Sequence, residues 1–250
     1  MKKIILTLSH LKKNYQEDSG ETKAIEDISL EVEEGKFISI VGPSGCGKST
    51  LLSILANLEV ASGGTYTFEK PSVRIAYMLQ KDSLFPWRTI LDNCLLGLEL
   101  RNELTEENRN YVLHLLKTYG LADFIDKYPN SLSGGMRQRV ALIRTLAIHP
   151  DILLLDEPFS ALDAMTRVAL AEDVYNMIKK EGKTVLMVTH DIGEAVSLSD
   201  KIVVLTKRPS TVKKIYDIHL TGKSTPIKNR KCKEFSEYYD AIWRDLDVHI

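Results

Sequence analysis

Apolar and polar residues alternate from Ile28 to Glu33: Ile28, Leu30 and Val32 are interleaved with Ser29, Glu31 and Glu33. That is the pattern of a strand with one buried face, and residues 3–41 read as strands throughout. Gly35 turns the chain, and the run Lys36-Phe37-Ile38-Ser39-Ile40-Val41 predicts a strand covered on both faces. Leu51, Leu52, Ile54 and Leu55 take helical spacing, and short strands flank Gly63-Gly64. Residues 89–149 are mostly helical, with Thr105 as an N-cap, Gly120 as a stop, and Pro150 ending the helix that begins near Gly134. Strands and helices then alternate: strand 151–156, helix 164–180, strand 184–189, helix 191–198, strand 201–206. Such alternation predicts an α/β fold with parallel strands and helices on both faces. The expected organisation is a domain over residues 1–220, with a helical subdomain of about 89–149 inserted in it. Residues 221–250 add a basic linker (Lys223, Lys228, Arg230, Lys231, Lys233), then Phe235, Tyr238, Tyr239 and Ile242 at helical spacing. That spacing predicts a helix packed on the domain. No internal repeat occurs.

Composition narrows the class. Of 250 residues, 44% are hydrophobic and 27% charged, with a formal charge of −1, so no global field attracts nucleic acid or anionic lipid. Cys46, Cys94 and Cys232 form no C-x-x-C pair, which argues against a disulfide framework or zinc site and fits a reducing cytosol. The opening run Met1 to Leu8 is too short and too quickly followed by His10, Lys12 and Lys13 to be a leader, and is expected to be a first strand. No apolar run approaches 18 residues, so a membrane span is not expected.

Chemistry enters at Gly42-Pro43-Ser44-Gly45-Cys46-Gly47-Lys48-Ser49-Thr50, which matches G-x-x-x-x-G-K-[ST] between a predicted strand and a predicted helix. In this P-loop pattern the backbone N–H groups and the helix N-terminus converge on phosphate oxygens. Lys48 reaches the β and γ phosphates, and the Ser49 hydroxyl can ligate Mg²⁺. Ile152-Leu153-Leu154-Leu155 then forms a buried strand ending in Asp156 and Glu157. In open α/β sheets ligands bind at that end. Asp156 is the expected holder of the Mg²⁺ shell, and Glu157 the group that polarises the attacking water. A P-loop alone does not separate kinase, GTPase and transport motor.

Leu132-Ser133-Gly134-Gly135-Met136-Arg137-Gln138-Arg139 opens a second helix whose N-terminus can take an anion. This octapeptide resembles the signature of ABC ATPases. The resemblance implies the ABC ATPase fold, ATP and Mg²⁺ as cofactors, and a head-to-tail homodimer. In that dimer Ser133, Gly134 and Gly135 of one subunit close on ATP held by the P-loop of the other. It extends to Tyr15, similar to an adenine-stacking aromatic, though a lone loop Tyr is almost equally a packing residue. Gln80 resembles a glutamine that senses Mg²⁺ and the γ-phosphate. Ser160-Ala161-Leu162-Asp163 resembles the loop crossing the dimer interface, and His190 the switch histidine on the γ-phosphate. The seven motifs stand in family order over residues 3–220. Asn57, where many relatives have glycine, and a short 64–80 stretch are departures.

The chain holds no long heptad run, only one ATPase copy and no membrane helices. These features argue against the DNA-repair, translation and fused-exporter branches, leaving a stand-alone importer subunit ahead of an exporter subunit. Ser83-Leu84-Phe85-Pro86-Trp87-Arg88 and the run Asp200 to Pro209 resemble the nitrate, sulfonate and taurine importer ATPases. That resemblance implies an integral-membrane permease partner, a substrate-binding protein in the complex, and a cytoplasmic place on the inner membrane face. Trp87 reads equally as an interface anchor or as part of its own subdomain's core.

Overall fold

The computed structural model describes residues 3–17, 20–160 and 162–246; the expectations for Met1, Lys2, Asp18, Ser19, Ala161 and residues 247–250 lie outside them. In chain order the elements are β1 (Ile4–Glu17), β2 (Gly20–Glu33), β3 (Phe37–Val41), α1 (Lys48–Leu55), β4 (Gly63–Phe68) and β5 (Ile75–Met78). Next come α2 (Ile90–Leu100), α3 (Glu106–Thr118), α4 (Gly134–Leu146), β6 (Ile152–Asp156), α5 (Ala164–Glu181) and β7 (Thr184–Val188). The chain closes with α6 (Ile192–Leu198), β8 (Lys201–Leu205), β9 (Ser210–Asp217), α7 (Pro226–Asn229) and α8 (Lys233–Asp245).

The strands form one sheet in the order β4-β1-β2-β9-β8-β3-β7-β6-β5. The β8-β3-β7-β6-β5 half is parallel, while β1 pairs antiparallel with β2 and β4, and β9 with β8. This is the expected α/β core with an antiparallel edge. The buried strands divide their side chains by the period-2 rule. Leu153, Leu155, Val185 and Met187 face the core shared with α2–α5, and Ile152, Leu154, Leu186 and Val188 face the core shared with α1 and β1, β2 and β4. Both faces are therefore covered, which is why these strands read as continuous apolar runs.

Several boundaries differ from the sequence reading. One strand, β4, begins at Gly63 where two flanking strands were expected. Helix α4 stops at Leu146, short of Pro150; His149 at φ +49° reverses the chain before β6. Thr105 caps α3 by accepting from the Asn108 amide, and Gly120 at φ +73° follows its end, as the capping residues predicted. In the tail, α8 packs through Ile242, Phe235, Tyr238 and Tyr239 onto α6 and the central strands β8 and β9. No helix among the described residues is long and apolar enough to cross a membrane.

Candidate functional site

Because β3, β5, β6 and β7 run parallel, their C-terminal ends share one edge. The register aligns them closely: Ile40 and Asp156 both pair with Val188, and Met78 pairs with Leu155. The segments that leave these ends carry Gly42–Thr50, Gln80, Glu157 and His190, so residues far apart in sequence meet along one line.

The P-loop end is built for an anion. Gly47 is the N-cap of α1 at φ +100° and gives that helix no side-chain cap, so the first-turn amides are left for a ligand. A Cβ at Gly47 would come within 3.3 Å of the Ala24 carbonyl on β2, so glycine is required by both conformation and space. Lys48 is 6% exposed, and its ammonium donates to the carbonyls of Gly42 (2.8 Å) and Pro43 (2.9 Å). A buried cation whose partners are two neutral carbonyls and the Cys46 sulfur at 3.9 Å suits a phosphate partner. Beside it lies a cleft of about 480 Å³ lined by Ser44, Gly45, Gly47, Lys48, Ser49 and Thr50, with Tyr15 and Glu157 on its other walls. Gly42, Pro43 and Cys46 do not line this cleft; the first two hold Lys48, and Cys46 is 1% exposed with burial pushing its thiol up.

Tyr15 donates to the Thr50 hydroxyl at 3.3 Å. The Lys13 ammonium sits 4.7 Å over its ring and is anchored by Glu59, and Tyr15 forms part of the cleft lining. Thr22, Ala24 and Arg208 also line the cleft. None was expected: they reach it only because β1, β2 and β9 are neighbours across the sheet, with Tyr15 opposite Thr22 and Ser210 opposite Ile25.

At the end of β6 the two carboxylates part. Asp156 accepts from Ser49 at 2.9 Å and from the Tyr77 hydroxyl at 3.1 Å. Burial holds its carboxyl above the usual range against those two hydroxyls, so the site suits a cation. Ser49 and Asp156 therefore fit Mg²⁺. Gln80 does not point at Asp156: its amide donates to Glu157 Oε2 at 3.2 Å and to Ser160 Oγ at 3.3 Å. His190 Nδ1 lies 3.1 Å from the same Glu157 oxygen. Gln80, Glu157, Ser160 and His190 thus form one cluster, which meets the cleft through Glu157. Tyr77 was missed as a partner of Asp156, since β5 carried no strand expectation of its own.

Ser133, Gly134, Gly135 and Asp163 do not line this cleft. Ser133 caps α4 by accepting from the Met136 amide, and Asp163 caps α5 by accepting from Met165 and Thr166. A Cβ on Gly135 would come within 3.1 Å of Thr166, so these two helix starts pack closely. The exposed start of α4, the exposed Asp163 and Met165, 86% exposed, share this surface away from the P-loop.

Among known proteins, the sequence profile of the ABC transporter family matches residues 25–160. The chain is 45% identical over 248 residues to an uncharacterized ABC transporter ATP-binding protein, YtlC, of Bacillus subtilis, covering 97% of this chain and 95% of that one. It is 37% identical over 247 residues to the nitrate import ATP-binding protein NrtD of a Synechocystis species, covering 95% and 93%. A solved ATP-binding cassette, a dimeric post-hydrolysis state bound to ADP and Pi, superposes with a TM-score of 0.74 at 32% identity, covering 86% of this chain and 99% of that one.

Proposed function

Because this chain belongs to the ABC transporter family, we propose that it is an ATPase subunit that powers import of a small anion, of the nitrate, sulfonate or taurine class. The observation that carries the reading is the single edge where an uncapped helix N-terminus and Lys48 face Glu157, Gln80 and His190. Lys48 leaves its two carbonyls to pair with the β and γ phosphates, and the α1 amides hold the same oxygens. Tyr15, in the cleft wall, is the residue that stacks on adenine in this reading. Ser49 and Asp156 would hold Mg²⁺, with Gln80 joining them once its amide turns from Glu157, and the ion would supply charge neutralisation between the phosphates. Glu157, held by His190, orients water for attack on the γ-phosphate, giving ADP and phosphate. A homodimer brings Ser133, Gly134, Gly135 and Asp163 of a second copy over each nucleotide.

The link to a membrane protein is the segment after Gln80. Trp87 is 71% exposed and leans on Phe85 at 5.1 Å between ring centres, so it does not fill its own subdomain's core. It stands on a fixed loop. The fully buried Asn93 side chain accepts from the Phe85 amide at 2.7 Å and donates to the Phe85, Arg88 and Thr89 carbonyls. A rigid exposed aromatic is a common interface anchor. Trp87→Ala is expected to leave a folded ATPase that recovers less of its membrane-embedded partner from detergent extracts, whereas Lys48→Ala stops hydrolysis without affecting recovery. Normal recovery with Trp87→Ala would contradict the coupling surface, and a purified wild-type chain that releases no phosphate from ATP would contradict the function.

A further inference from the structure

His190 is held by a buried bracket. Its neighbour Thr189 donates its hydroxyl to Glu194 Oε2 at 2.8 Å and accepts on the same oxygen from the Asp191 amide at 3.0 Å. Asp191 caps α6 by accepting from the Glu194 amide at 2.9 Å. Glu194 is 3% exposed, so of the two chain neighbours of His190, Thr189 is bonded to its buried carboxyl and Asp191 to its backbone amide.

Cations reach this bracket from two other elements: Arg230, just past α7, whose guanidinium packs against Gly193, and Arg167 on α5. Arg167, on the first turns of α5, lies with its guanidinium 3.5 Å from Asp191 Oδ2 and with Nε 3.8 Å from Glu194 Oε1. The same guanidinium donates to the Leu162 carbonyl at 3.0 Å, one residue before Asp163. Its Nε is buried and has no hydrogen-bond partner. Buried donors are almost always satisfied, and a shift of about 1 Å would bring Nε and Glu194 into bonding range. The contact is therefore poised: a small movement of the 162–163 segment changes how tightly Glu194, and through Thr189 and Asp191 the His190 backbone, is held.

We infer that Arg167 is a positioning residue for hydrolysis: it registers the Leu162–Asp163 segment to the Thr189–Glu194 bracket that aims His190 at Glu157. The inference rests on the ATPase reading. It assigns to Arg167 no contact with nucleotide. Its effect falls on the rate of the chemical step, not on ATP binding, and it runs through His190. Glu194 is the relay. Burial and Asp191 push its carboxyl up to about 7 while Thr189, Arg167 and His190 oppose that push, so its charge and its grip on Thr189 depend on the Arg167 guanidinium.

A double-mutant cycle on the full chain tests this. Phosphate release and equilibrium binding of a fluorescent ATP analogue are measured for wild type, Arg167→Ala, His190→Ala and the double variant. Expected are a fall in kcat of about tenfold for Arg167→Ala, analogue affinity and KM within about threefold of wild type, and little further loss when Arg167→Ala is added to His190→Ala. Glu194→Gln, which keeps shape and the Thr189 acceptor but removes the charge, is expected to lower kcat in the same sense, and decides the matter should Arg167→Ala fail to fold. Multiplying losses in the double variant, or an unchanged kcat in both Arg167→Ala and Glu194→Gln with an active wild type, would overturn the inference alone. An inactive wild type would overturn the ATPase reading beneath it.

Discussion

Glu157 adopts φ +45°, a left-handed conformation that a side chain with a Cβ resists. The turn has a consequence: it swings Glu157 away from Asp156, so adjacent carboxylates serve different partners, Asp156 with Ser49 and Tyr77, Glu157 with Gln80 and His190. Backbone strain of this kind costs about 1–3 kcal/mol and concentrates at functional sites. Asn57 takes φ +58° just past α1, which accounts for the departure at that position: Asn reaches the left-handed region at lower cost than other side chains, so the glycine conformation survives the change. Glu194 makes a prediction on this scale. Burial raises its carboxyl from the ordinary value to about 7. The folded state thus favours the proton, and the stability it contributes is complete below about pH 4.5 and lost as pH rises through 7. Glu194→Gln removes the titration. Between pH 5.5 and 8, urea unfolding is expected to show wild type losing about 2 kcal/mol more stability than the variant. Parallel pH profiles for the two proteins would contradict it.

Among the elements, the connection from β5 to α2 is held in place by side chains far along the chain. Arg137 of α4 donates to Asp82 at 3.0 Å, and Arg144 donates to the Asp82 and Ser83 carbonyls at 2.6 and 2.9 Å. From the other side Asn93 fixes residues 85–89. Asn93→Ala would leave the Phe85 amide without its acceptor in a buried place. It is expected to cost about 1–3 kcal/mol by chemical denaturation, and to speed amide exchange in residues 84–89 before the rest of the subdomain. Unchanged exchange there would show that the arginines alone hold the loop. This region also marks where sequence reading stops. The motif residues were legible because each motif is local: glycines, Lys48 and Ser49 within nine residues, two carboxylates after four apolar ones. Trp87 was not, since its exposure is decided by Asn93 and by Phe85 beside it. Strand β9 was missed because Lys213, Lys214 and Asp217 interrupt the apolar pattern of a half-covered strand, and β5 because it is only four residues long. The Tyr77–Asp156 bond, 79 residues apart, follows from the β5–β6 pairing and from nothing local.

At the scale of the molecule, the four parallel strand ends carry the P-loop cleft, and the starts of α4 and α5 lie elsewhere on the surface. On the proposed reading these are two halves of a nucleotide site that do not meet within one chain and that a head-to-tail dimer would bring together. The sheet order brings this about: β3 stands between β8 and β7, so the P-loop opens beside His190, while α4 and α5 are carried on the opposite core. The most direct test of the account is Glu157→Gln, assayed for phosphate release and for elution volume on size exclusion with and without ATP. The account predicts a loss of turnover of about 10²–10⁴-fold, with ATP still bound and the protein shifted to a stable dimer. Hydrolysis near the wild-type rate, or a protein that stays monomeric with ATP bound, would contradict it.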